Sequence, residues 1–235
     1  MAGTSVLIAG LGNAPYPLTK HSLGQYLVDG LAQRLGAGRL RPHPTLRKDG
    51  GHLATAKHEG TSLLLYKTGA SKLLSCILHP LSAHMRLFYT LIRPCTPQTC
   101  MHAFADRLMN ISGPPIAAAS RTQNAKHLVL IYDSVADAPC TLALKYGGGA
   151  RGHNGVRSTQ AHWPHGSFWH LRAGIGRPSD GTGLAEFVLS KLDAEERAFW
   201  GHQGKGMDLV LKALEAALGD LDGQGKDIGV QRLFR

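Results

Sequence analysis

The stretch from Val6 to Gly24, VLIAGLGNAPYPLTKHSLG, constrains the fold more than any other part of the sequence. It begins with an apolar run that predicts a strand over Ser5–Ala9, buried on both faces of an open sheet. Leucines at helical spacing follow the glycines and prolines, so a helix is predicted over Ser22–Leu35. Strand, loop and helix in this order are typical of an α/β domain, in which functional loops lie at strand ends.

The Gly10-Leu11-Gly12 turn resembles part of a dinucleotide-binding fingerprint but lacks its third glycine. That glycine lets a helix pack closely and offer its N-terminus to a pyrophosphate. Here nine residues, Asn13 to His21, separate the turn from the predicted helix. The pattern argues against a nucleotide-dependent oxidoreductase and predicts no nucleotide cofactor. It predicts instead a loop that presents Asn13 and His21 at the end of the sheet.

The rest of the chain continues the alternation of strands and helices. Further strands are predicted at Leu53–Ala56, Ser62–Tyr66, Leu128–Tyr132, Thr141–Tyr146 and Trp169–Gly174, and helices at Pro115–Thr122, Gly155–His162, Ala194–Trp200 and Met207–Leu218. A chain of 235 residues is long enough for one core and does not require two. We therefore predict an α/β fold for residues 1–235: a single domain with a twisted mixed β-sheet flanked by helices, ending in a flexible tail over 220–235.

Charge and cysteine content narrow the partners and the compartment. Lys and Arg total 26 against 16 Asp and Glu, a formal net charge of +10. Such an excess favours a polyanionic partner such as nucleic acid, with a solvated basic surface as the alternative. The start of the sequence lacks the features of a signal peptide, and its four cysteines do not form a disulfide framework. We expect a reducing compartment, cytoplasmic or mitochondrial.

The segment Leu73–Arg107 interrupts the pattern. It holds three of the four cysteines and a single acidic residue, Asp106. Its apolar first part carries charged and helix-breaking residues near the middle, which argues against a membrane span. The spacing of Cys95, Cys100 and His102 fits no structural zinc pattern, so no metal is predicted. We interpret residues 73–107 as an insertion.

Four further stretches carry polar residues after apolar or glycine-rich sequence. They are LMNISGPP around Asn110, LVLIYDSVAD around Asp133, LKYGGGARGHNGVRS with His153 and Asn154, and FWHLRAGIGRP around Arg172. Loops that carry functional groups on a rigid scaffold have this form. Taken singly, each polar residue is explained as well by a helix cap, a turn or a solvated surface.

Together these stretches resemble the bacterial-type peptidyl-tRNA hydrolases. The resemblance rests on six motifs in sequence order: G-L-G-N, T-K-H-S-x-G, M-N-I-S-G, Y-D-x-x-x-D, G-G-G-x-x-G-H-N-G-x-R-S and L-R-x-G-I-G-R-P. It covers nearly the whole chain except 73–107 and the C-terminal end. It implies a peptidyl-tRNA hydrolase-like fold and an enzyme that cleaves the ester between a peptide and the 3′ end of tRNA, which recycles the tRNA. No cofactor or metal is implied, and we expect a monomer.

The resemblance assigns three catalytic residues. They are His21 as the general base, Asp133 as the carboxylate that holds it, and Asn13, which distinguishes a peptidyl ester from a free amino acid ester. An imidazole has an ordinary pKa of about 6.5, which suits a base that deprotonates water near neutral pH. Asparagine both donates and accepts hydrogen bonds, so it orients substrate without adding charge.

The resemblance also implies contacts with the substrate and with tRNA. Substrate binding is expected from Tyr16, Leu108, Asn110, His153 and Asn154. Phosphate binding is expected from Lys145 and Arg172, with Arg157 a weaker candidate. Basic groups beside an aromatic platform suit the single-stranded acceptor end of tRNA.

Some positions depart from the pattern of the resembling family. Ser22, Leu108 and Ser134 stand where its members usually have Asn, an aromatic residue and Glu. Removing residues 73–107 leaves continuous family-like sequence, which suggests translated intron sequence. The alternative is therefore a catalytically impaired RNA-binding relative of the same fold. The retained base, carboxylate and asparagines favour the enzyme.

Overall fold

A computed structural model describes residues 4–14, 16–49, 51–68, 109–223 and 231–233. The predicted insertion, residues 73–107, and Leu108 lie outside these described residues. One mixed β-sheet receives strands from every described part, and helices cover both of its faces.

The sheet contains eight strands and confirms the predicted α/β fold class. The strands are β1 (Ser5–Gly10), β2 (Arg41–Pro42), β3 (His52–His58), β4 (Thr61–Lys67), β5 (His127–Ser134), β6 (Leu142–Tyr146), β7 (Trp169–Gly174) and β8 (Gln231–Leu233). Their order is β2-β3-β4-β1-β5-β7-β6-β8. The central strands β4, β1, β5 and β7 are parallel, whereas both sides of the sheet are antiparallel. Loops after β1 and β5 therefore meet at one edge.

The longer helices begin and end close to their predicted positions. The helices are α1 (Leu23–Arg34), α2 (Gly113–Gln123), α3 (Asn154–His162), α4 (Leu184–Leu189), α5 (Ala194–Trp200) and α6 (Lys205–Gly219), with 3₁₀ turns at Lys20–Ser22 and Pro44–Asp49. The sequence does not predict α4, β2 or the 3₁₀ turns, because each is too short to show periodicity. None of the described helices is long and apolar enough to cross a membrane.

The central strands are buried because their side chains alternate between two apolar clusters. In β1, Val6 and Ile8 pack with α1 and α6 on one face of the sheet. Leu7 and Ala9 pack with α2 and α3 on the other face. Successive residues of a strand point to opposite faces, so a strand covered on both sides requires a continuous apolar run. The structure confirms that prediction for β1.

Glycines bring α1 against the carboxyl end of β1. A Cβ at Gly24 would lie 2.3 Å from the Ile131 carbonyl oxygen, and one at Gly10 would lie 2.3 Å from the Gly24 carbonyl oxygen. Any side chain at either position would force the strand and the helix apart. The Leu11 N–H also donates to the Ile131 carbonyl at 2.9 Å. The loop over residues 12–22 is thereby anchored beside the ends of β1 and β5.

Two contacts fall within the range predicted as a flexible tail, 220–235. The Asp220 carbonyl accepts a hydrogen bond from Trp169 Nε1 at 3.0 Å. Gln231–Leu233 pairs antiparallel with β6 as strand β8. Three residues carry no detectable periodicity, so the sequence does not reveal this strand, whereas the edge of β6 offers backbone groups that a further strand satisfies.

Candidate active site

His21 and Asp133 meet where β1 and β5 end. His21 lies in the 3₁₀ turn that leads into α1, and Asp133 is the penultimate residue of β5. His21 Nδ1 lies 2.9 Å from Asp133 Oδ1. Because a carboxylate only accepts, Nδ1 carries the hydrogen, and the lone pair of the neutral imidazole lies on Nε2. The structure thus brings together the predicted base and carboxylate.

A second imidazole contacts the same carboxylate oxygen. His153 Nε2 lies 3.2 Å from Asp133 Oδ1, and the ring centroids of His153 and His21 are 5.0 Å apart. His153 is also the N-cap of α3, where its Nδ1 accepts the Val156 N–H at 3.3 Å. The neutral ring therefore carries its hydrogen on Nε2 and donates it to Asp133. The sequence predicts a substrate contact for His153 and does not predict its hydrogen bond to Asp133. We call His21, Asp133 and His153 the imidazole–carboxylate cluster.

Asp133 is ionised although only 2% of its side chain is exposed. Burial raises the pKa of the Asp133 carboxyl, but the charge of His21 and the hydrogen bonds from both imidazoles outweigh burial and hold that pKa well below its ordinary range. Burial lowers the pKa of His153, against the hydrogen bond and charge of Asp133. At neutral pH the cluster therefore holds a carboxylate and a neutral His153.

The cluster also has the composition of a metal site. Ligand atoms from His21, Asp133 and His153 all lie within 4.8 Å of one another. A ring nitrogen binds zinc only without its hydrogen, and a neutral imidazole has one such nitrogen. His153 uses that nitrogen to accept the Val156 N–H. Coordination by His153 would break the cap of α3, which disfavours a metal here; the lack of a metal cofactor stays a prediction.

Asn13 is fully buried in the loop between β1 and α1, and its side chain is unsatisfied. None of the described residues forms a hydrogen bond with its Nδ2 or Oδ1. A buried amide without a partner costs about 1–3 kcal/mol. An unsatisfied amide such as that of Asn13, three residues after the end of the central strand β1, is typical of a side chain that binds a ligand.

Ser22 holds the loop around Asn13 in shape. Its Oγ accepts the Asn13 N–H at 3.0 Å and donates to the Tyr16 carbonyl at 2.8 Å. Thr19 Oγ1 lies 3.1 Å from Ser22 Oγ. Tyr16, the predicted nucleotide contact, is half-buried, and its N–H donates to the Asn13 carbonyl at 2.8 Å. Ser22 therefore closes this short loop, although the resemblance leads us to expect Asn there.

Asn110 and Asn154 lie on two segments that approach through a glycine. Asn154 is the first residue of α3 and directly follows His153 of the imidazole–carboxylate cluster, and Asn110 precedes α2. A Cβ at Gly155 would lie 2.5 Å from Met109 Sδ, so a larger residue would separate the segments. Asn110 is exposed, and Asn154 is half-buried. Leu108, the remaining predicted substrate contact, lies outside the described residues.

Three cations surround the glycine-rich loop between β6 and α3. Lys145 is half-buried on β6, and Arg157 is exposed on α3, where its Nη1 donates to Asn154 Oδ1 at 3.3 Å. Arg151 is exposed in the loop between them. Arg151 is not among the predicted phosphate contacts, although its position inside the glycine-rich motif is a usable signal. The described residues thus bring three positive charges to this loop.

Arg172 takes part in an ion pair inside the sheet. It is only 4% exposed on β7, and its Nε donates to Asp137 Oδ2 at 2.9 Å. Removing one partner from a buried ion pair costs about 3–5 kcal/mol, which disfavours a movement of Arg172 away from Asp137. The phosphate contact of Arg172 stays a prediction. The residue stabilises the loop after β5 from within the sheet.

Comparison with known proteins identifies the family. The sequence model for peptidyl-tRNA hydrolase matches residues 86–227, more than half of the chain. The chain belongs to the peptidyl-tRNA hydrolase family. A peptidyl-tRNA hydrolase from Azoarcus sp. strain BH72 is 30% identical over 81% of this chain and 70% of its own length. One from Geobacillus thermodenitrificans is 28% identical over 89% of each chain.

Solved structures of the peptidyl-tRNA hydrolase family share the fold. The crystal structure of peptidyl-tRNA hydrolase from Acinetobacter baumannii matches with a TM-score of 0.60 at 22% identity. The match covers 94% of this chain and 89% of that chain. The family match begins at residue 86, inside the range predicted as an insertion.

One further contact of this family member lies beside the predicted base. Lys20, the residue before His21, forms a buried ion pair with Glu196. The two residues are 176 positions apart. No local pattern signals such a contact, because it depends on how α5 packs against the loop.

Proposed function

We propose that this chain hydrolyses the ester that joins a peptide to the 3′ end of tRNA. Family membership supports the reaction, and the hydrogen bond between His21 Nδ1 and Asp133 Oδ1 is the observation that carries its chemistry. That bond orients the imidazole so that the Nε2 lone pair accepts a proton. A buried carboxylate beside the ring stabilises the cation that forms.

The reaction then follows two steps. His21 Nε2 removes a proton from water as the water oxygen attacks the ester carbonyl carbon, which gives a tetrahedral oxyanion and an imidazolium. The intermediate collapses, the bond from carbon to the ribose oxygen breaks, and the imidazolium returns its proton to that oxygen. The products are tRNA with a free ribose hydroxyl and a peptide carboxylic acid, which releases its remaining proton to water. Asp133 stays ionised throughout.

We assign the neighbouring residues to substrate recognition. The unsatisfied amide of Asn13 gains partners when the peptide end binds, which recovers the cost of burying it. Asn110 and Asn154 orient the peptide backbone and the attacking water, and Tyr16 contacts the terminal nucleotide. His153 holds Asp133 in place through Nε2, while its Nδ1, on the other side of the ring, caps α3.

Lys145, Arg157 and Arg151 are the proposed phosphate contacts. The first two follow from the sequence, and the exposure of Arg151 adds it in place of the buried Arg172. The net charge of +10 supports a polyanionic substrate. A monomeric state and a cytoplasmic or mitochondrial location stay predictions.

The test is release of peptide from an N-acetylated aminoacyl-tRNA, compared with the same tRNA carrying the free amino acid. We expect rapid release only from the blocked ester. The alternative, an impaired RNA-binding relative, predicts tRNA binding without release. The intact imidazole–carboxylate cluster favours the enzyme.

A further inference from the structure

The loop that carries His21 is tied to the segment that precedes α5. The Lys20 N–H donates to the Ser190 carbonyl at 2.9 Å, and the Leu192 N–H donates to the Leu18 carbonyl at 2.8 Å. Leu18 has a φ of 61°, in the left-handed region that a leucine rarely adopts. Contacts outside the loop must therefore hold this conformation.

A buried ion pair reinforces the tie beside the base. Lys20 and Glu196 are each 8% exposed, and Lys20 Nζ contacts Glu196 Oε1. The same ammonium lies 5.3 Å from the centroid of the Phe187 ring. The two side chains are 11% and 10% exposed, so both partners of the contact are largely covered.

Glu196 is itself fixed at the start of α5. Its Oε2 accepts the Asp193 N–H at 2.9 Å, and its own N–H donates to Asp193 Oδ1 at 2.7 Å, which completes a capping box. One carboxylate oxygen thus secures the helix start and the other holds Lys20. Rotation of Glu196 away from Lys20 would break the cap.

We propose that the ion pair of Lys20 and Glu196 positions His21 for catalysis. This inference rests on the proposed function, and it makes both residues positioning residues that do not touch substrate. Lys20 opens the 3₁₀ turn whose next residue is His21, so a shift of Lys20 moves the imidazole relative to Asp133. A buried ion pair contributes little net stability against an apolar pair, whereas it fixes geometry strictly. A misplacement of about 1 Å at a reacting group costs about 10²-fold in rate.

The sharpest variant is Glu196→Gln. Glutamine keeps an oxygen for the Asp193 N–H, so the capping box survives, and only the charge that faces Lys20 is removed. We expect kcat to fall by at least about tenfold while KM changes by less than about twofold, because a misplaced base slows the chemical step and leaves binding intact. Lys20→Met should behave in the same way, and Lys20→Arg should keep kcat within about threefold of the wild type.

Asp208→Asn is the matched control. Asp208 on α6 pairs on the surface with Arg34, the last residue of α1, and the two side chains are 50% and 38% exposed. We expect wild-type kcat and KM for this variant, because exposed ion pairs contribute little to stability. If Lys20→Met or Glu196→Gln fails to fold, the double variant Lys20→Met/Glu196→Leu replaces the pair by apolar groups and should fold. A kcat at least about tenfold below the wild type in this double variant would support the positioning role, and a wild-type kcat would overturn it.

Two readouts separate this proposal from the proposed function. Wild-type kcat in both Glu196→Gln and Lys20→Met would overturn the positioning role, whereas an inactive wild type would overturn the proposed function. An NMR spectrum of isotope-labelled histidine tests positioning without activity, since the His21 Nδ1–H bonded to Asp133 gives its own signal. That signal should shift or broaden in Lys20→Met and stay unchanged in Asp208→Asn; an unchanged signal in Lys20→Met would also overturn the proposal.

Discussion

Replacing Asp133 with asparagine removes the charge at the centre of the imidazole–carboxylate cluster while keeping the shape of the side chain. Asp133 Oδ1 accepts hydrogen bonds from His21 Nδ1 at 2.9 Å and from His153 Nε2 at 3.2 Å. An amide also donates. A hydrogen bond from the introduced amide to His21 Nδ1 would move the ring hydrogen to Nε2, the nitrogen that has to accept a proton.

The expected loss follows from the charges in the transition state. As His21 takes a proton from water, it becomes a cation next to the buried Asp133 carboxylate. Two unit charges about 4 Å apart interact by about 4 kcal/mol at an effective dielectric constant of about 20. Loss of about 4 kcal/mol from the transition state slows a reaction by about 10³-fold. We therefore expect Asp133→Asn to lower the rate of the chemical step by about 10²–10⁴-fold.

The assay is single-turnover release of peptide from N-acetylated aminoacyl-tRNA, with the enzyme in excess. Asp137→Asn is the matched control, because the Asp137 side chain, just after β5, is only 9% exposed and the amide oxygen of that variant still accepts from Arg172 Nε. The control should stay within about threefold of the wild-type rate, even if it unfolds at a lower temperature. A loss of less than about tenfold in Asp133→Asn would refute the assigned role of the carboxylate.

Three further outcomes are expected. Asn13→Leu should raise the free energy of unfolding by about 1–3 kcal/mol while lowering hydrolysis, because it removes an unsatisfied buried amide; denaturant unfolding that shows lower stability would contradict this. Lys145→Ala and Arg157→Ala should each reduce the magnitude of the slope of log affinity for tRNA against log salt by about 0.7–0.9. Arg172→Ala should lower stability and leave that slope unchanged. A wild-type slope in Lys145→Ala and Arg157→Ala would show that these two residues do not contact phosphate. Burial and neighbouring cations lower the pKa of His170 to about 4 from 6.5, so unfolded chains bind the proton first as pH falls. Stability present above pH 6.5 should therefore decline by roughly 3 kcal/mol towards pH 4 in the wild type and by less in His170→Gln, and identical pH profiles would contradict that pKa.

The parts of the fold that the sequence predicts well are those whose pattern is local. The apolar run at Ser5–Ala9 and the leucine spacing over Ser22–Leu35 locate β1 and α1 to within one residue at each end. Strand β8 and helix α4 are not predicted, because three and six residues are too few for a period to appear. Their existence depends on the surface against which they pack.

The site shows the same division. Motif order is enough to nominate His21 and Asp133, and the sheet topology then brings them into contact. The burial of Arg172 is invisible in sequence, because it depends on Asp137, 35 residues away, and on strands that cover β7 from both sides. The second hydrogen bond to Asp133 is equally invisible in sequence, because His153 is 20 positions away and reaches the carboxylate only when the start of α3 packs beside β5.

The most direct test of the account is the single-turnover rate of His21→Ala on N-acetylated aminoacyl-tRNA, measured together with its affinity for tRNA. His202→Ala, which removes an exposed histidine near the start of α6, is the control. His21→Ala should lose about 10²–10⁴-fold in rate with tRNA affinity largely retained, and His202→Ala should keep the wild-type rate. Peptide release by His21→Ala within about tenfold of the wild-type rate would contradict the assignment of His21 as the base.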